Sequence, residues 1–126
     1  MIQPPRSLWW DTRGDDVALR PPLSGNLDVD VVIVGGGFTG LWTARELLER
    51  EPTLRIAVLE SSVCGFGASG RNGGWASAIF PSSLRKMASL SDRDGAIRMQ
   101  RAMNETVVEV GRIAELEGID CGFHQG

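Results

Sequence analysis

The chain has 126 residues, of which 42% are hydrophobic and 23% charged, and its net charge is -3. That length suits about one domain, and the apolar share is enough for a core. Mild acidity without a basic block argues against a nucleic-acid partner, and no apolar run nears membrane-spanning length.

Residues 1–28 read as an irregular N-terminal arm. Pro4, Pro5, Pro21 and Pro22 punctuate it, with Gly14 and Gly25. Trp9 and Trp10 are expected to anchor this arm against the body, because large rings bury much apolar area. The first ten residues contain no apolar signal core. A cytoplasmic location is the resulting expectation. Cys64 and Cys121 form neither a C-x-x-C pair nor a metal pattern, so both are expected to be reduced, inert thiols.

The next segment carries the strongest chemical signal. Val31 to Val34 form an apolar run suited to a parallel strand covered on both faces. Gly35, Gly37 and Gly40 follow in G-x-G-x-x-G spacing. The first permits a tight turn, the second lets a pyrophosphate approach the backbone, and the third lets a helix pack on the strand. A helix is expected from about Phe38 to Glu51. Leu41, Ala44 and Leu48 lie on one face and a Glu46–Arg50 pair on the exposed side. Pro52 ends it. Leu54 to Leu59 then read as a second strand leading to Glu60, twenty residues after Gly40. There a carboxylate can accept hydrogen bonds from a ribose diol, while the helix N-terminus faces phosphates. The competing reading is a plain strand-to-helix turn followed by a surface glutamate.

A second glycine-rich stretch, Cys64-Gly-Phe-Gly-Ala-Ser-Gly-Arg-Asn-Gly-Gly74, follows within a loop over residues 61–80. Five glycines in eleven positions let its backbone wrap closely around a ligand. Successive N–H groups there can form an anion-binding concavity, with Arg71 adding charge. Taken alone, the stretch is equally consistent with a flexible surface loop. Beyond it, a short helix is expected over Ser82–Leu90 and a long one over Asp92–Glu117. In the long helix Ala96, Met99, Met103, Val107, Val110 and Ala114 share a core face. Arg98, Arg101, Glu105, Glu109 and Arg112 occupy the opposite side. Ser91 with Asp94 reads as its N-terminal cap, and Gly118 as its stop.

Asp30-Val-Val-Ile-Val-Gly-Gly-Gly-Phe-Thr-Gly40, Val58-Leu-Glu60 and Gly67-Ala-Ser-Gly-Arg-Asn-Gly-Gly74 together resemble the start of the D-amino-acid oxidase-like (DAO) FAD-dependent oxidoreductases. The branch they look most like contains gamma-glutamylputrescine oxidase-like enzymes. The resemblance covers most of the chain. It implies an α/β, Rossmann-like FAD-binding fold and oxidation of a small-molecule amine or amino acid. Carried over residue by residue, it sets Gly35, Gly36, Gly37, Phe38 and Thr39 along the FAD pyrophosphate and Glu60 on the adenosine ribose. Ser69, Arg71, Asn72 and Gly73 would approach the pyrophosphate, ribityl chain or flavin ring. Gly40, Ser61 and Gly70 complete the implied set. Some relatives attach flavin to a histidine in the second loop. None stands there, so non-covalent FAD is expected, and His124 reads as a loop or strand residue. Family members run to several hundred residues. Residues 29–126 would thus be the N-terminal part of an FAD-binding domain, completed by the rest of its own chain or by a partner chain. No catalytic residue is assigned. An NAD-dependent dehydrogenase and a non-catalytic, truncated or partner-dependent product are the alternatives.

Overall fold

The computed structural model describes residues 7–13 and 19–125. Pro4, Pro5 and Gly14 lie outside the described residues. The chain divides into two units, residues 1–73 and 74–126.

The first unit begins with a helix, α1, over Leu8–Thr12. It corrects the expectation of an irregular arm over these five residues, whereas residues 19–28 form no helix or strand. The Ser7 hydroxyl accepts a hydrogen bond from the Trp10 N–H and so caps this helix. Strand β1, Val31–Val34, then pairs in parallel with β2, Ile56–Leu59. The register sets Val31 opposite Ile56 and Val34 opposite Leu59. Parallel strands need a crossover, and α2, Phe38–Arg50, supplies it. An ion pair fixes the start of the ladder. Arg55 sends Nε and Nη2 to the two carboxylate oxygens of Asp30, at 3.2 and 3.1 Å. These bonds hold the Asp30 carboxyl below its ordinary pKa.

Gly40 explains how α2 reaches the sheet. A Cβ at this position would run into the Gly35 carbonyl and the Ile33 side chain. Only a residue without one lets the first turn of α2 sit on β1. The cover is one-sided, however. Val31 and Ile33 are half-buried, whereas Val32 and Val34 are exposed, Val34 by 85%. The expected cover on both faces is therefore not supplied by the described residues. Leu41 and Leu48 also lie on exposed parts of α2, against expectation. Glu46 and Arg50 do pair on its outer side, at 3.1 Å.

The second unit holds α3, Leu84–Leu90, and α4, Arg93–Leu116. They pack together, and Met87, Ala96, Ile113 and Ala114 are buried in this unit. Ser83 caps α3 through the Lys86 N–H. The cap of α4 is Asp92, whose carboxylate accepts from the Gly95 N–H, and not Ser91. A carboxylate at this position also meets the positive end of the helix dipole, which a hydroxyl does less well. Met99 is 45% exposed, so the expected core face is only partly buried. At the far end Gly118 has φ +63, a conformation that side chains resist. Its N–H bonds the Glu115 carbonyl and the Ile119 N–H bonds that of Ala114. This double closure is a Schellman motif. The Gln100 amide reaches the Ala78 carbonyl at 3.1 Å and ties the preceding segment to α4.

Candidate functional site

The turn after β1 is the first part of the site. Gly35 has φ +104, as the tight turn requires, and its N–H continues the sheet by bonding the Leu59 carbonyl at 2.8 Å. Gly36 follows, and among the described residues of the first unit it alone is buried. Its N–H donates to Glu60 Oε2 at 2.8 Å. The other Glu60 oxygen accepts from the Ser62 N–H at 2.9 Å and from Ser61 Oγ at 3.2 Å. The Gly36 N–H first, then that of Ser62, holds the Glu60 carboxyl below its ordinary pKa. The acid at the end of β2 is thus charged and oriented by the glycine turn itself.

The second glycine-rich loop comes to the same place. Gly65 N–H donates to the Gly36 carbonyl at 2.9 Å. Ala68–Gly70 form a single 3-10 turn, and from it Ser69 Oγ accepts the Phe38 N–H at 2.9 Å. Gly37, the N-cap of α2, has no side chain to do this. Ser69 is a cap supplied from 31 positions away. A Cβ on Gly37 would lie 2.9 Å from Ser69 Oγ, so the hydroxyl takes the room that the glycine leaves. The helix N–H groups of Thr39 and Gly40 have no backbone partner among the described residues.

Gly70 is half-buried, while Arg71, Asn72 and Gly73 are exposed. Arg71 Nε donates to the Gly67 carbonyl at 3.1 Å, and Asn72 Nδ2 to the Ser69 carbonyl at 2.7 Å. Gly73 has open space around it. The structure also brings in residues that sequence reasoning did not assign. Ser7 Oγ donates to the Gly70 carbonyl at 2.9 Å, and the Trp9 indole N–H donates to the Asn72 carbonyl at 2.6 Å. Arg13 stacks over the Trp10 ring at 4.4 Å. Trp9, Trp10, Arg13 and the Glu60–Gly65 segment line a cleft of about 840 Å³, with Leu19 to Leu23 and Val58 in its walls. The one available signal was Ser7 ahead of an apolar pair, which is a cap position. Nothing in the sequence points from Trp9 to a carbonyl 63 residues away.

The residues present fit a dinucleotide. A charged, backbone-oriented carboxylate stands beside two glycine loops, and one of them carries an exposed cation. The Thr39 and Gly40 N–H groups, without a backbone partner among the described residues, lie in the first turn of the adjoining helix. Among the described residues, no cluster of His, Cys, Asp or Glu suits a metal ion. His124 is exposed in a loop, and Cys64 and Cys121 are exposed free thiols. No helix among the described residues is long and apolar enough to cross a membrane.

Residues 30–126 match the DAO family of FAD dependent oxidoreductases. The chain belongs to that family. It is 34% identical over 121 residues to the probable oxidoreductase OrdL of Haemophilus influenzae, covering 96% of this chain and 27% of that protein. It is 33% identical over 108 residues to the gamma-glutamylputrescine oxidoreductase of Escherichia coli, covering 82% of this chain and 24% of the relative. A shorter likeness, 64% over 31 residues, links it to the mitochondrial L-2-hydroxyglutarate dehydrogenase of Dictyostelium discoideum, covering 25% of this chain and 7% of that one. The chain thus spans about a quarter of the length of the first two relatives. No solved structure matches it.

Proposed function

We propose that this chain supplies the adenosine- and pyrophosphate-binding part of an oxidoreductase that oxidises an amine or amino acid with non-covalent FAD. The observation that carries the reading is the convergence of Glu60, Gly36 and Ser69 at one end of the βαβ unit. When bound, FAD would supply the ring that accepts a hydride equivalent from a carbon next to nitrogen. The chain's own residues bind and orient. Glu60 receives the ribose hydroxyls. The Thr39 and Gly40 N–H groups, the Ser69 hydroxyl and the Arg71 guanidinium meet the pyrophosphate. Gly35, Phe38, Ser61, Gly70, Asn72 and Gly73 form the surrounding backbone.

An amine substrate is favoured by how far the likeness extends. The match to the gamma-glutamylputrescine oxidoreductase runs over 108 residues, far past a nucleotide-binding motif. The match to the hydroxyglutarate dehydrogenase spans 31 residues, which is the scale of such a motif alone. Further chain, its own or a partner's, is proposed to complete the fold. Val34, Trp75 and Ile79 are 85%, 90% and 82% exposed, and apolar groups of that size call for cover.

The full-length protein is expected to purify yellow, with FAD released on denaturation. Glu60→Ala should weaken FAD binding about tenfold, since hydrogen bonds to a charged acceptor are among the stronger ones. A colourless full-length protein that takes up no FAD, or one that binds NAD instead, would overturn the reading.

A further inference from the structure

Helix α1 belongs to none of the residues that a dinucleotide motif requires. Yet its N-cap, Ser7, and a side chain of its first turn, Trp9, hold the second glycine loop. Ser7 Oγ donates to the Gly70 carbonyl and Trp9 Nε1 to that of Asn72, at 2.9 and 2.6 Å. Two donors two positions apart meet two carbonyls two positions apart. Trp10 lies against the same loop at Gly70. A Cβ on Gly70 would lie 2.9 Å from its Nε1, so the missing side chain makes room for the ring. Arg13 covers that ring. The side chains of Arg71 and Asn72, by contrast, bond carbonyls within the loop itself. From this same turn, Ser69 caps α2.

We propose that α1 is a positioning element, which holds the second glycine-rich loop in its ligand-ready form through Ser7 and Trp9. The proposal rests on the FAD reading above. Glycine-rich backbone loses much freedom on ordering, so a free loop would set that loss against binding. A loop already gripped at Gly70 and Asn72 has less left to lose, and preorganisation of this kind raises affinity.

The test uses the full-length protein. FAD affinity is titrated by flavin fluorescence, and loop opening is read as the rate of tryptic cleavage after Arg71 in the FAD-free form. Trp9→Phe keeps a ring without the N–H. Ser7→Ala removes the hydroxyl, and Ser7→Thr retains it. Trp9→Phe and Ser7→Ala should each weaken FAD binding about fivefold, the worth of one ordinary hydrogen bond, and speed cleavage. Ser7→Thr should match the unaltered protein in both. Unchanged affinity in both disrupting variants overturns the proposal, even if cleavage quickens, because α1 would then brace the loop without serving the ligand. If Trp9→Phe loses its thermal transition, the Ser7→Ala and Ser7→Thr pair decides. Should the unaltered protein take up no FAD, the functional reading fails, and unchanged cleavage after Arg71 separately overturns the grip.

Discussion

The two glycine-rich loops are held by different means. Around Gly35 to Gly40, backbone geometry does most of the holding, through a positive φ at Gly35, a ladder bond to Leu59, and a Gly40 that sits against the Gly35 carbonyl, while Glu60 and Ser69 accept from the Gly36 and Phe38 N–H groups. Between Gly65 and Gly73 the links outward come largely from side chains, Ser7 and Trp9 reaching in from the α1 segment and the loop's own Ser69 reaching out. The first loop therefore depends on what its residues lack, and the second on which hydrogen-bonding groups reach it. Substitutions should separate the two kinds of dependence.

The largest effect is expected at Gly40. Gly40→Val forces a branched side chain into the Gly35 carbonyl, and should lower unfolding free energy by about 3 kcal/mol in denaturant titration. A variant as stable as the parent would break the claim that this contact sets the helix on the strand. Gly35→Ala should cost about 1–2 kcal/mol, because a side chain resists the positive φ there. In the second loop, Ser69→Ala removes an acceptor rather than adding bulk. A loss of about 1 kcal/mol is expected, typical of a helix cap. A loss as large as at Gly40 would erase the distinction between the loops.

The smallest effect is a pH dependence confined to acid. Asp30 and Glu60 both titrate below their ordinary values of 3.8 and 4.5, chiefly through Arg55 and the Gly36 N–H respectively. A depressed folded pKa contributes stability above the unfolded value and loses it as pH falls through the folded one. Thermal midpoints should therefore stay level from neutral pH to about 5, then drop as pH goes below about 4. Asp30→Asn combined with Glu60→Gln should flatten that drop. A midpoint that falls already between pH 7 and 6 would point to other groups.

Much of the fold was legible where one signal dominated. The run Val31 to Val34, the glycine spacing and the stop at Pro52 identify the βαβ unit to within two residues. The Schellman end at Gly118 was legible for the same reason, since glycine there answers a positive φ. Periodicity located α4, but at its start three residues able to cap stand close together, and reach decided for Asp92 over Ser91. Helical spacing could not show that Leu41, Leu48 and Met99 lie exposed, because spacing defines a face and not its cover. The helix over Leu8–Thr12 is five residues long, too short for a periodic signal. Within the site, residue types and intervals suggested Glu60 and Ser69, while their partners Gly36 and Phe38 are set by tertiary approach over 24 and 31 positions.

One consequence follows from the way Glu60 is pinned. Its two oxygens are tied to the Gly36 and Ser62 N–H groups, so the end of β1 and the segment after β2 share one carboxylate. A glutamate side chain in solution samples many rotamers, and fixing it ordinarily opposes binding. Here that ordering has been completed during folding. In the proposed FAD complex, a pair of ribose hydroxyls arriving at Glu60 would meet an acceptor with its heading already set, folding rather than binding having absorbed the entropy.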